Sequence, residues 1–239
     1  MTAGRHAIVS SSLGAACAGL LFFVLSGAAL AHGVAESDQA FIQGSAGVHV
    51  APYIYLGAKH MVTGYDHLLF LFGVVFFLYR LKDVVQYVTL FAVGHSTTLI
   101  LGVLTGLRAN PYLIDAIIGV SVVYKALDNL GGMRRVFGFV PDQKKAVLVF
   151  GFFHGFGLAT KIQEMSLPTE GLLPNLVSFN VGVEIGQILG LCAILALMTL
   201  WRRLARFERD ALFANTALMA AGFVLVGYQL SSYFVEYSS

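Results

Sequence analysis

Long apolar stretches separated by short polar ones run through most of the chain, the rhythm of membrane spans rather than of a soluble core. Six such stretches cover Tyr53–Tyr79, Val84–Thr105, Pro111–Leu130, Lys145–Glu164, Leu172–Trp201 and Ala211–Phe234. Each is near the roughly 20 residues that a helix needs to cross about 30 Å of hydrocarbon. Backbone groups in that medium must be satisfied within the segment itself, which selects helices. The pattern therefore predicts an all-α integral membrane protein, a six-transmembrane-helix bundle over residues 53–239. A further apolar run, "LGAACAGLLFFVLSGAAL", follows Arg5 and His6 and ends on "ALA", Ala29 to Ala31. That is the plan of a cleavable signal peptide over residues 1–31, an uncleaved anchor being the alternative. Cleavage leaves residues 32–52 as a short exported segment. It begins with His32, whose amine and imidazole together form a candidate metal pair, although a polar leftover of processing is the simpler reading.

Composition narrows the class further. With 57% hydrophobic and 12% charged residues and a mean hydropathy of +0.78, the chain is far from a soluble domain, in which about 25% of residues are charged. A net charge of +2 carries little information, because the sidedness of charge matters more than its sum in a membrane protein. There is no basic stripe and no zinc-finger spacing, so nucleic acid is not an expected partner. No phosphate-binding loop of the G-x-x-x-x-G-K-[ST] type is present either. The two cysteines, Cys17 and Cys192, sit in apolar stretches, which argues against a disulfide framework and against a thiolate metal site.

Charge then orients the bundle. Ten of the fifteen Lys and Arg residues (Arg80, Lys82, Arg134, Arg135, Lys144, Lys145, Arg202, Arg203, Arg206 and Arg209) fall on alternate connections. Basic loops face the cytoplasm, so both mature termini are expected to be periplasmic in a bacterial inner membrane. A signal peptide independently requires the same orientation.

On that topology, several ionisable residues reach similar depth. The first span carries His60, Asp66 and His67; the second carries His95, the fourth His154, and the fifth Asn180 and Glu184. Each ionisable group costs roughly 2.5–3.5 kcal/mol at a helix centre on lenient insertion scales, so such residues mark function by default. Asn180, Glu184 and Gln187 are spaced i, i+4 and i+7, one face of a helix. Imidazoles and carboxylates without thiolates suit nickel, cobalt, zinc or copper(II). A single buried histidine is more often a hydrogen-bonded core residue than a ligand, but three helices each bringing one to matching depth favour a site. His60 and His67 are seven residues apart, about 10 Å of rise in an ideal helix. Either the helix breaks at Gly64 or His60 serves an outer, earlier position, and the second is the expectation. Lys125 and Asp128, at i, i+3, are expected to pair. Asp115 supports the site from the outer end, and His49 is expected to be simply solvated.

The motifs "HMVTGYDHLLFL" (H-x5-D-H), "GHSTTL", "GVSVVY", "FFHGFGLA" and "FNVGVEIGQ" resemble the HupE/UreJ family of membrane proteins, in the same order and from about Tyr53 to the C-terminus. The resemblance implies a nickel, sometimes cobalt, permease that serves hydrogenase or urease maturation. It implies metal-handling roles for His60, Asp66, His67, His95, His154 and Glu184. Asp115 stands where members often carry Glu, and the exported segment is shorter than is common. The expected function is thus an inner-membrane permease for a divalent metal ion, nickel or cobalt, with zinc a further candidate. Two other classes remain open: an intramembrane zinc metalloenzyme with Glu184 or Asp66 as base, and a non-transporting metal-handling accessory. Expected partners are the metal ion as substrate, the bilayer, and a second copy of the chain or a metallochaperone.

Overall fold

The computed structural model describes residues 42–44, 46–164 and 169–238. The proposed signal peptide, Cys17 and His32 lie outside the described residues. Among the described residues the longer elements are eight helices: α1 (Val50–Thr63), α2 (Tyr65–Val75), α3 (Leu81–Thr105), α4 (Pro111–Asn129), α5 (Met133–Phe137), α6 (Gln143–Gln163), α7 (Leu172–Trp201) and α8 (Phe207–Ser238). Four of these are long and apolar enough to cross a membrane: α3, α6, α7 and residues Phe207–Glu236 of α8. The 19-residue α4 is polarised by Asp115, Lys125 and Asp128.

The stretch expected as one continuous first span is two helices. α1 stops at Thr63, Gly64 takes an extended conformation (φ −71°, ψ 95°), and α2 restarts at Tyr65 with Asp66 in its first turn. A carboxylate there faces the positive end of the helix dipole. At 11 residues, α2 is roughly 16 Å long by helical rise, about half a bilayer. Its last carbonyls would be orphaned in an apolar setting. Arg202 supplies donors to the carbonyls of Val75 and Phe76 at 2.6 and 2.7 Å, and Asn129 Nδ2 donates to Gly73 at 2.8 Å.

Capping sets the other boundaries. Asn110 accepts from the Leu113 N–H ahead of a proline in the first turn of α4. Asp142 caps α6, and the backbone N–H groups of Lys145 and then Lys144 hold its carboxyl below the usual carboxylate range. Gly106, at φ 70°, closes α3 in the left-handed region, where a side chain would be strained.

Glycine then decides which helices touch. A methyl group on Gly186 of α7 would lie 2.6 Å from the Ala58 carbonyl of α1, and one on Gly182 would strike that of Ile54. On α6, Gly151 faces the Phe91 carbonyl of α3 and Gly155 that of His95, while Gly94 of α3 would come 2.6 Å from the Leu148 carbonyl. Gly119 of α4 meets Val226 of α8, and Gly222 of α8 meets Val123 of α4. These small residues bring membrane helices to backbone distance. The order of contacts also fixes direction: α1 runs with α7, α3 runs with α6, and α4 runs against α8. The short α2 packs against α3, α4, α7 and α8 from inside, which carries its first turn into the middle of the bundle.

Candidate metal centre

His67 sits in the first turn of α2, His60 in the last turn of α1, His95 on α3 and His154 on α6. The break at Gly64 brings the rings of His60 and His67 to 5.1 Å between centroids. This corrects the expectation that His60 stands apart at an outer position, which assumed an unbroken helix. His95 and His154 approach His67 at 5.7 and 4.9 Å. One ligand atom each from His60, His67 and His95 lie within 4.8 Å of one another, and the same holds for Asp66, His67 and His154. His67 belongs to both groups. All three histidines of α2, α3 and α6 are at most 3% exposed, and Phe91 packs against each of those rings.

The hydrogen bonds within this cluster are few. Asp66 Oδ1 lies 3.0 Å from His67 Nδ1. The Ser121 hydroxyl donates to the Ile118 carbonyl at 2.6 Å and lies 3.2 Å from His154 Nε2. With its proton committed, that hydroxyl acts toward His154 as an acceptor. His154 therefore carries its hydrogen on Nε2 and keeps a lone pair on Nδ1. By the same reasoning the Asp66 carboxylate fixes the proton of His67 on Nδ1 and frees Nε2. Among the described residues, five buried ring nitrogens have no hydrogen-bond partner: His60 Nε2, His67 Nε2, both nitrogens of His95, and His154 Nδ1. An orphaned polar atom in an apolar interior costs about 1–3 kcal/mol. The donor set, neutral imidazoles with one carboxylate and no thiolate, fits a borderline divalent ion such as nickel, cobalt or zinc.

The remaining candidates fall elsewhere. Glu184 is exposed on the outward face of α7 and does not join the histidines. Its spacing from Asn180 is correct for one helical face, but α1 covers α7 along Phe179, Gly182, Val183 and Gly186 instead. Asn180 and Gln187 are buried; Asn180 Nδ2 donates to the Leu176 carbonyl and Gln187 Nε2 to that of Val88. Gln187 lines a small apolar cavity below His67, together with Met61, Leu71 and Val74. Asp115 is ion-paired with Lys161 at 2.9 Å. His49 is half-buried at the start of α1: its N–H donates to Asn175 Oδ1, and its ring lies 2.9 Å from the Ala46 carbonyl. Sequence reasoning missed Ser121, Lys161 and Gln229. A lone Gln in the apolar run around residue 229 was a usable signal; a Ser flanked by valines was not.

The fold and this cluster together define a helical membrane protein with a buried histidine–aspartate centre suited to a metal ion. No curated protein and no solved structure matches the chain. A family model described as HupE / UreJ protein does match, over residues 36–237, and the chain belongs to the HupE/UreJ family. That family is associated with metal uptake, nickel or cobalt, for hydrogenase and urease.

Proposed function

We propose that the chain is an inner-membrane permease that passes a divalent transition metal ion, nickel or cobalt, through the His60–Asp66–His67–His95–His154 cluster. The observation that carries this reading is the set of buried ring nitrogens without partners on His60, His67, His95 and His154, each neutral imidazole able to offer one lone pair, beside a carboxylate. In a bundle core such atoms are tolerated when an ion completes them. The reading takes α1 and α2 together as the first of six spans and α4 as the third. The parallel and antiparallel helix pairs agree with six alternating crossings, and the basic connections then face the cytoplasm. A doubly charged ion moving inward across 100 mV gains about 4.6 kcal/mol, twice the value per charge, so no nucleotide site is required. His67 belongs to both ligand groups and acts as the pivot between them.

A second reading has one specific observation in its favour. The cavity below His67 is lined almost wholly by apolar side chains such as Phe70, Leu71, Val74 and Phe91. A closed, one-sided pocket is what a metal-holding accessory or an intramembrane zinc enzyme needs. Uptake of radiolabelled nickel, cobalt and zinc into proteoliposomes, with an imposed inside-negative potential, separates the two. A permease takes up nickel or cobalt in proportion to the potential and loses this with His95→Ala. Stoichiometric bound metal with no luminal accumulation would reject transport in favour of the second reading.

A further inference from the structure

Beside the histidine cluster, on the side where α6 ends and α4 begins, lies a second polar space. Its polar walls are Tyr65, Asp66, Asp115, Lys161 and Gln229, contributed by α2, α4, α6 and α8, the rest of the lining is apolar, and its volume of about 20 Å³ is enough for one water or one ion. Lys161 Nζ donates to both carboxylate oxygens of Asp115, at 3.1 and 2.9 Å, and the Asp115 side chain is 8% exposed. Gln229 is 2% exposed, and its Oε1 is buried without a hydrogen-bond partner among the described residues. Asp66 belongs to both places: one oxygen bonds to His67, while the carboxylate also lines this pocket.

Three side chains with oxygen donors, Asp66, Asp115 and Gln229, thus converge on a space the size of a small cation. The positive charge there is an ammonium on a flexible four-carbon stem, a point charge that can leave by rotating its chain. With Lys161 in place, two carboxylates and one ammonium sum to −1. With Lys161 withdrawn, the same two carboxylates neutralise a dication but leave a monovalent ion short of balance. Taking the histidine cluster as the metal site, we propose that this pocket is a separate, oxygen-lined station for a divalent cation. Lys161 is its tethered stand-in, displaced from Asp115 when the ion enters. Competition from Lys161 keeps the station weak, so the ion moves on through Asp66 to the imidazoles; passage requires binding that is loose enough to release.

Manganese(II) alone is the probe, because it prefers oxygen to nitrogen ligands. The full chain in nanodiscs carries His95→Ala and His154→Ala, which disables the imidazole cluster and leaves His67 to hold Asp66. Free manganese is followed by electron paramagnetic resonance during titration. In this background Lys161→Met should tighten manganese binding about 10-fold, the scale on which one adjacent charge acts. Lys161→Arg, whose fork grips a carboxylate at two points, should weaken it, and Asp115→Asn should remove it. The arginine variant keeps the charge and carries the test if the methionine variant does not fold. Manganese affinity that ignores Lys161→Arg, or that survives Asp115→Asn, overturns the proposal and leaves Lys161 as a structural counter-ion. Failure of the wild-type chain to accumulate nickel or cobalt would instead reject the permease reading, while the manganese titration would still report on the pocket.

Discussion

The histidine cluster and the Lys125–Asp128–Gln143 group are both polar and both set between apolar helices, yet they use their hydrogen-bonding atoms in opposite ways. In the second group Lys125 Nζ donates to Asp128 Oδ2 at 2.6 Å and to Gln143 Oε1 at 3.3 Å, and Gln143 Nε2 returns to Asp128 Oδ1 at 2.6 Å. The ring is closed. Each charge has its counter-charge, and the three residues tie α4 to the first turn of α6. In the histidine cluster five ring nitrogens are left over. A closed network stabilises and specifies packing, whereas an open one costs stability until something completes it. The difference separates a brace from a binding site without reference to residue type, since both contain ionisable groups in the same bundle.

Alanine substitutions give that contrast its hardest test. His67→Ala, His95→Ala and His154→Ala should each lower nickel or cobalt affinity by about 100-fold, the upper end of the range for groups at a metal centre. Melting temperatures should change little for His95→Ala and His154→Ala, which remove orphaned nitrogens, and should fall for His67→Ala, which also leaves Asp66 without its partner. Lys125→Met should do the reverse. It leaves Asp128 short of its counter-charge and should lower stability by about 1–3 kcal/mol, with metal affinity unchanged. Calorimetric titration paired with thermal unfolding reads both quantities, and a histidine variant that unfolds early while still binding metal would erase the distinction.

A smaller effect is expected at the helix break. A methyl on Gly64 would lie 2.9 Å from His67 Nδ1 and 3.2 Å from Asp66 Oδ1, and alanine also favours continuing the helix. Gly64→Ala should therefore separate His60 from His67 and weaken metal binding about 10-fold, the lower end of the range for groups at a metal centre. Unchanged affinity would mean that His60 contributes nothing to the centre.

Smaller again is Ser121→Ala, which removes the acceptor that holds the His154 proton on Nε2. A severalfold loss of affinity is expected, below the roughly 10-fold floor for groups that orient ligands directly, and Ser121→Thr should restore it. The smallest effect belongs to Glu184→Gln. With Glu184 exposed on α7, metal affinity should stay within about twofold, far below the effect of a ligand; a large loss would place a second chain or an unseen ligand against that face.

The amino-acid sequence alone determined the helical class, the approximate limits of five of the six apolar stretches, the histidines and the aspartate that gather in the cluster though not the exclusion of Glu184, and the Lys125–Asp128 pair. These follow from local rules: apolar length, turn-forming Pro and Gly, and i, i+3 spacing. Only the tertiary structure decided that the first stretch breaks at Gly64, because Gly allows either a helix or a turn and the choice depends on Arg202 and Asn129 capping the short α2 from elsewhere. It decided that Glu184 faces outward, since which side of α7 is covered depends on where Gly57, Gly182 and Gly186 admit α1. It also brought Ser121, Lys161 and Gln229 to the polar spaces of the bundle. Their partners are 33 residues away for Ser121 and 46 for Lys161, and no spacing along one helix encodes a contact between two.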